Sequence, residues 1–438
     1  MRMILRGLGV AIALSMPAVV GAQNEIPVRE VGPAEAASSE TVGFLYGLRE
    51  LSDGRVLVND AGRRRLLLFD RALAQAKILA DSAAGTPVAY GARPTGIIPY
   101  LGDSTLLIDQ SARAFLVLDP EGKVARVMSP PRAGDIGFMW NPAIGTPGFD
   151  AGGRLIYRSW LMPTFRAPEQ GKPFVPPQLP DSAPILAGDF DRRAADTLGW
   201  VRVPKRRTSV TPVPGGVRLS AMINPLSTID DWTLLPDGTI AMLRGQDYHI
   251  DWINPDGTRW SSPKMPFDWK RLTDEEKTAL VDSTRRALER EFATPGAESG
   301  AGAAAASGHG VPTNTNHSMT ILGVTMPDGG PPPRPAGAPD APQIPEVVPA
   351  SDLPDYVPPV LRSGTMRADP QGNVWILPST TAQSGSGLLY DVVDRRGVLT
   401  HRVRLPAGRA LEGFGANGAI YLTSHDAGGT RLERARLK

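Results

Sequence analysis

Short apolar runs, four or five residues long, alternate along this chain with turns built from Gly, Asp, Asn and Pro, and the alternation keeps a period of about fifty residues. From Gly47 the order is Gly47-Leu48-Arg49-Glu50-Leu51, a turn at Ser52-Asp53-Gly54, Arg55-Val56-Leu57-Val58, Asn59-Asp60, and Leu66-Leu67-Leu68-Phe69 closing on Asp70. The same order returns at Pro94-Thr95-Gly96-Ile97-Ile98, Gly102-Asp103, Leu106-Leu107-Ile108-Asp109, Arg113, and Phe115-Leu116-Val117-Leu118-Asp119 before Pro120-Glu121-Gly122. Gly47 to Asp53 and Gly96 to Gly102 share a spacing of six, so the two copies are in register. Four further copies fit the frame, beginning near Gly145, Asp231, Gly364 and Leu411. Each is a set of short strands separated by hairpin chemistry, in which Gly and Asn supply positive φ and Pro presets the turn entry. One such unit cannot bury both of its faces alone. The pattern therefore predicts an all-β chain whose four-stranded units stack radially as a six-bladed β-propeller over residues 23–438.

The repeat resembles that of the NHL-type and related six-bladed propellers, whose units read Pro-x-Gly-Ile/Val, a Gly turn, an apolar strand ending in Asp, an Arg, and another apolar strand ending in Asp. Pro94 to Gly122 follows this nearly throughout, and the first copy departs only where Leu45 stands for the Pro. The resemblance implies the fold. Its members include both binding modules and enzymes.

The last copy offers three strands, Leu411–Ala416, Ala419–Ser424 and Arg431–Leu437, and leaves its outer edge open. The mixed polar and apolar segment Glu25 to Val31 is expected to close it, with Pro27 tolerated at an edge.

Two segments break the period. Residues 160–184 are rich in Pro and read as an extended loop within the third blade. Residues 265–362 form a larger insertion. It opens on a helix signal: Thr273 and Glu276 at capping-box spacing, then Leu280, Ala287, Leu288 and Phe292 at helical period. Beyond it, fourteen Pro between 294 and 360 predict a flexible or polyproline-like arm, acting as a solvated linker, a lid over one channel mouth or a partner-binding segment.

The first 22 residues read as an address. Arg2 and Arg6 precede an apolar stretch from Leu8 to Val20, and Val20-Gly21-Ala22 offers a small-residue cleavage site, the layout of a secretory signal peptide too short to span a bilayer. The mature chain is expected to be exported, periplasmic or extracellular, without a transmembrane segment, and monomeric. Arg2 and Arg6 are the only charges before the cleavage point, so the net +2 of 47 Lys+Arg against 45 Asp+Glu belongs to the leader. A neutral mature chain disfavours a nucleic-acid partner, and Arg63-Arg64-Arg65 and Lys205-Arg206-Arg207 read as solvated turns. The absence of Cys removes disulfides, thiolate metal sites and cysteine nucleophiles.

Function has to come from local placement. The starts of the innermost strands should face the central channel, which nominates Tyr46, Thr95 with Arg93, Asn141, Asp230 and Asp231, Arg362 and Ser363, and Glu412. Of these, Arg93, Asn141, Asp230, Arg362 and Glu412 are the candidate ligand-binding residues. They read either as a polar ring that solvates the channel and caps strand ends or, with Glu412, Asn141 and Asp230 as oxygen donors, as a seat for Ca²⁺ or another divalent cation. Gluconolactonase-like six-bladed propellers hold such a cation with a Glu in a Glu-Gly context, an Asn and an Asp. Glu412-Gly413 resembles the first of these, although it stands in the last repeat here rather than the first.

The five His, at 249, 309, 317, 401 and 425, have no zinc-site spacing, and neither a G-x-S-x-G elbow nor a phosphate loop occurs. The leading expectation is a non-catalytic exported binding module with no cofactor. It would engage a small ligand or a protein partner through the channel face and the inserted arm. The alternative is a divalent-metal-dependent hydrolase of lactonase type.

Overall fold

A computed structural model describes residues 25–82, 90–91, 95–161, 179–205, 207–213, 216–293, 318–322, 344–380 and 387–438. Residues 1–24 (including the expected signal peptide), Arg93, most of the Pro-rich loop and most of the arm after the helix lie outside the described residues.

Six four-stranded antiparallel sheets form the ring, in the order expected from the repeat. Blade 1 runs Leu45–Glu50, Val56–Asp60, Arg65–Phe69 and Ala76–Asp81. Blade 2 runs Ile97–Pro99, Thr105–Asp109, Ala114–Leu118 and Val124–Met128. Blade 3 has Gly148–Phe149, Leu155–Arg158, Ser182–Asp189 and Ala194–Arg202. Blade 4 has Asp231–Leu234, Ile240–Arg244, His249–Ile253 and Arg259–Ser261. Blade 5 is Met366–Ala368, Val374–Ile376, Leu389–Val393 and Leu399–Arg404. Blade 6 is Arg409–Phe414, Ile420–Asp426 and Gly429–Ala435, with its outer strand from elsewhere.

The apolar runs are continuous rather than alternating because both faces of each sheet are buried. Successive side chains of a strand point to opposite faces, so Leu66 and Leu68 enter the core shared with blade 2, while Leu67 and Phe69 enter the core shared with blade 6. Six apolar clusters result, one at each blade interface. The turns are set by Asp side chains that accept from main-chain N–H groups two and four residues on. Asp150 does so from Gly152 and Arg154, and Asp369 from Gln371 and Asn373.

Closure differs from the expectation. The outer strand of blade 6 is Ala36–Val42, antiparallel to Gly429–Ala435, and not the segment Glu25 to Val31. Val28–Glu30 instead runs parallel to Leu399–Arg404 as a fifth strand on blade 5, with the Pro27 carbonyl accepting from Arg402 N. The closing sequence Ala-Ala-Ser-Ser-Glu-Thr-Val has no apolar alternation to betray a strand, because a bulge between Ala37 and Thr41 breaks its register. Inside the bulge, the Ser38 hydroxyl accepts from Leu432 N at 3.0 Å and donates to the Glu40 carbonyl.

The inserted helix spans Asp274–Ala293 and is capped as expected: Thr273 N donates to Glu276 Oε2, and Glu276 N to Thr273 Oγ1. The described residues around it depart from a purely solvated arm. Val281 and Leu288 of the helix pack with Ile223 and Leu226 from the blade 3–4 connection and with Val347, Val348 and Leu353, a seventh cluster separate from the blades. Main-chain bridges pair Ile223 with Val347 and Arg271 with Tyr356. A further sheet joins Thr208–Val213 and Gly216–Ala221 to Ser318–Leu322. Two insertions far apart in sequence thus build one small cap. No described helix is long and apolar enough to cross a membrane.

Candidate functional site

The residues before each innermost strand gather at one end of the ring, and the connection from blade 2 to blade 3 crosses this end. Trp140 packs its ring 5.4 Å from Tyr46 of blade 1, and Gly96 of blade 2 approaches the Trp140 main chain so closely that a Cβ would lie 2.7 Å from it. The short 3-10 helix Pro142–Ile144 then reaches Gly364 at the entry to blade 5, whose added Cβ would meet the Pro142 carbonyl at 2.7 Å. Trp232 Nε1 donates to the Ile144 carbonyl at 2.9 Å. The mouth is thus covered in part by Trp140–Gly145, and Asn141 is the N-cap of that crossing helix, its side chain accepting from Ala143 N at 2.9 Å.

Asp230 has a structural assignment. One carboxylate oxygen accepts from Gly245 N at 3.1 Å, and the other from Arg202 N at 2.9 Å and Arg244 Nη1 at 2.8 Å. Arg244 continues to Asp251 at 2.6 Å and to the Trp200 carbonyl. Asp230 therefore staples the outer strand of blade 3 to blade 4. Its neighbour Asp231 is fully buried and accepts from Trp232 N, Thr365 N, Thr365 Oγ1 and Met366 N, tying blade 4 to blade 5. Burial pushes its carboxyl up, against the pull of those N–H donors and of Arg158.

Two of the expected residues bear electrostatically on the same side chain. Arg362 and Glu412 both act on the Tyr390 phenol, as does Arg367 at the start of blade 5. Burial pushes that phenol up to about 12, the two arginines pull it down and Glu412 pushes it further up. Arg367 donates to the Glu412 carbonyl at 3.0 Å, and Thr423 Oγ1 donates to Glu412 Oε1 at 2.7 Å. Among the described residues Glu412 Oε2 and the half-buried Arg362 guanidinium have no hydrogen-bond or ion-pair partner. Arg367 and Tyr390 escaped sequence reading because both lie inside regular strands, where Arg367 reads as a polar face and Tyr390 as core.

Burial also raises the Glu412 carboxyl, with Arg367 and the Thr423 bond opposing. A folded-state value above the unfolded one means that keeping Glu412 ionised destabilises the fold, increasingly as pH rises through the folded value. Glu412→Gln retains the acceptor for Thr423 without the charge. We expect the variant to melt above wild type at pH 8 and the difference to disappear as the pH is lowered below the unfolded value of a glutamate, about 4.3, measured by thermal melts across pH.

The proposed oxygen donors do not make a cation seat. Both Asp230 oxygens are directed at N–H groups of blades 3 and 4, Asn141 caps its own helix, and Glu412 stands with Arg362, Arg367 and Tyr390. No three His, Asp or Glu side chains among the described residues are grouped to hold a metal. His401 and His425 lie away from the mouth, bonded to Thr400 and Thr430.

No protein-family model matches the chain, and no curated protein matches it significantly. Several solved structures are similar in outline. A gluconolactonase from Xanthomonas campestris is 13% identical, with 93% of this chain and 98% of that one covered and a TM-score of 0.37. The calcium-binding protein regucalcin from Agrobacterium tumefaciens is 10% identical over 94% of this chain and 96% of that one, at 0.36. A virginiamycin B lyase from Staphylococcus aureus is 7% identical over 92% and 98%, at 0.35. Likeness at this level says nothing of activity; the six-bladed ring rests on the strand pairing itself.

Proposed function

We propose that the protein is an exported binding module that engages a small polar ligand, or the charged end of a protein partner, at the channel mouth between blades 5 and 6, without catalysis. The observation that carries this reading is the pairing of unused groups there. A half-buried guanidinium (Arg362) and a carboxylate oxygen (Glu412 Oε2), neither with a partner among the described residues, both bear electrostatically on the Tyr390 phenol, while Asn141, Asp230 and Asp231 are committed to the fold. The Arg362 guanidinium, held half out of water without a partner, is ready to pair with a ligand at little desolvation cost.

The test is equilibrium binding of the mature chain to a panel of sugars, amino acids and short peptides, alongside a turnover assay on lactones and esters with and without Ca²⁺. Ligands that bind should lose about tenfold or more with Arg362→Ala, the scale of one charge-assisted hydrogen bond. Lactone hydrolysis that vanishes in Glu412→Gln would replace this reading with a hydrolase.

A further inference from the structure

Arg158 closes the second strand of blade 3 and is 4% exposed. A guanidinium carries five N–H donors, yet the only hydrogen bond that the Arg158 side chain makes among the described residues is a long one, from Nη1 to Ser363 Oγ at 3.4 Å. Its Nε is buried with no partner. Burial pushes the group down to about 10, with Asp231 opposing. Asp231 does not pair with it directly, since that carboxylate accepts from Trp232, Thr365 and Met366.

A buried cation with idle donors is costly, and nearly all buried polar groups in folded proteins have a partner. A Met or Leu at this strand end would fill the same space without that cost. The idle donors therefore want an acceptor from outside the chain.

We infer that Arg158 and Ser363 hold the carboxylate of an organic monoanion. A planar carboxylate presents two oxygens to Nε–H and one Nη–H side-on, the strong bidentate geometry of guanidinium pairs. Charge selects a monoanion. Arg158, Arg362 and Arg367 against Asp231 and Glu412 leave one positive charge at this part of the mouth, which a carboxylate neutralises and a phosphate dianion overshoots. Ser363 adjoins Arg362, so the rest of the ligand would extend toward Arg362, Tyr390 and Glu412; in that respect the inference rests on the function proposed above.

The probes are acetate, lactate and inorganic phosphate, each compared with KCl at equal ionic strength. The readouts are the melting temperature of the full mature chain and the Arg158 Nε–Hε resonance in an arginine-labelled sample. Wild type should show a saturable rise in melting temperature and a shift of that resonance with acetate and lactate, larger than with phosphate. The dependence should be lost in Arg158→Met, be weakened about tenfold or more in Arg158→Lys, and fall several-fold in Ser363→Ala. If the Met variant fails to fold, the Lys and Ala variants and the wild-type resonance still decide.

Equal stabilisation of wild type and Arg158 variants, or a resonance that does not move, overturns the inference and leaves an ordered water as the partner of Nε. Neutral ligands lost in Arg362→Ala, with acetate inert, overturn the carboxylate site but keep the binding mouth. Acetate that acts through Arg158, with Arg362→Ala and Glu412→Gln changing no ligand in the panel, keeps the carboxylate site and removes the wider mouth.

Discussion

A chain shortened to begin at Gly43 is expected to lose cooperative unfolding, whereas one shortened only through Glu30 should still melt as a single transition a few degrees below the full mature chain. The longer deletion removes the outer strand of blade 6. It takes away Val42, which is buried between blades 6 and 1 with Val58, Tyr421 and Leu432 and whose burial contributes about 2 kcal/mol. It also removes the Ser38 hydroxyl that satisfies Leu432 N, and the Ser38, Ser39 and Thr41 carbonyls that accept from Arg431, Arg63 and Arg65. Ser39 N donates to the Leu73 carbonyl of blade 1, so the segment joins the last blade to the first. With several main-chain bonds at about 1 kcal/mol each, the loss is comparable to the whole stability of a typical domain, about 5–15 kcal/mol. Val28–Glu30, by contrast, is exposed along its length and adds an edge to blade 5 and two bonds to Lys438, one from Arg29 to its carbonyl and one from its N–H to the Glu30 carbonyl. Circular dichroism melts of the two deletions decide. If the shorter one is as damaging as the longer, the ring is closed by Val28–Glu30 after all.

The second large effect is at Asp230. Replacing it with Ala strands Arg202 N and Gly245 N without an acceptor and leaves Arg244 with Asp251 as its remaining carboxylate. Breaking a buried charge pair from one side costs about 3–5 kcal/mol. Asp230→Ala should therefore lower the unfolding free energy by that amount, read as a lower urea midpoint at an unchanged slope. Asp230→Asn should fall in between, because its amide NH₂ must face one of the donors that the carboxylate accepts. Space for relief is scant, since Gly245 lies against the Ile229 carbonyl, 1.9 Å from where a Cβ would sit. A residue serving only a ligand would show the reverse, with stability unchanged and binding altered.

These two expectations turn on residues whose roles the repeat does not reveal. Leu66 to Phe69 could be read as a strand buried on both faces because a continuous apolar run has few other uses in a short-period β pattern, and the radial stack follows from having six such sheets. Thr273 with Glu276 foretold the helix start for a similarly local reason, because both partners of the capping box lie within one turn. The closing strand had no such signal. Its pairing residues are small and polar, it is bulged at Ser38, and its partner lies nearly four hundred residues away in the chain.

The candidate site divides along the same line. Arg362 and Glu412 were legible as charged groups beside inner-strand entries, and the tertiary structure sets both within electrostatic reach of one phenol. Asp230 carries the same local signature, yet Arg244 and two main-chain N–H groups claim it, and only the packing of blade 3 on blade 4 supplies those partners. Arg158 shows the converse. At the end of Leu-Ile-Tyr-Arg it looks like an ordinary solvated strand terminus, and it becomes a buried cation only because Asp231 and Ser363, from two other blades, enclose it. Apart from the closing strand, the sequence by itself determined the blade strands, their turns and the number of blades, since these depend on contacts within about fifty residues. Which polar groups hold the ring together and which are left without a partner was decided by the ring, because hydrogen-bond partners and exposure are properties of neighbours distant in the chain.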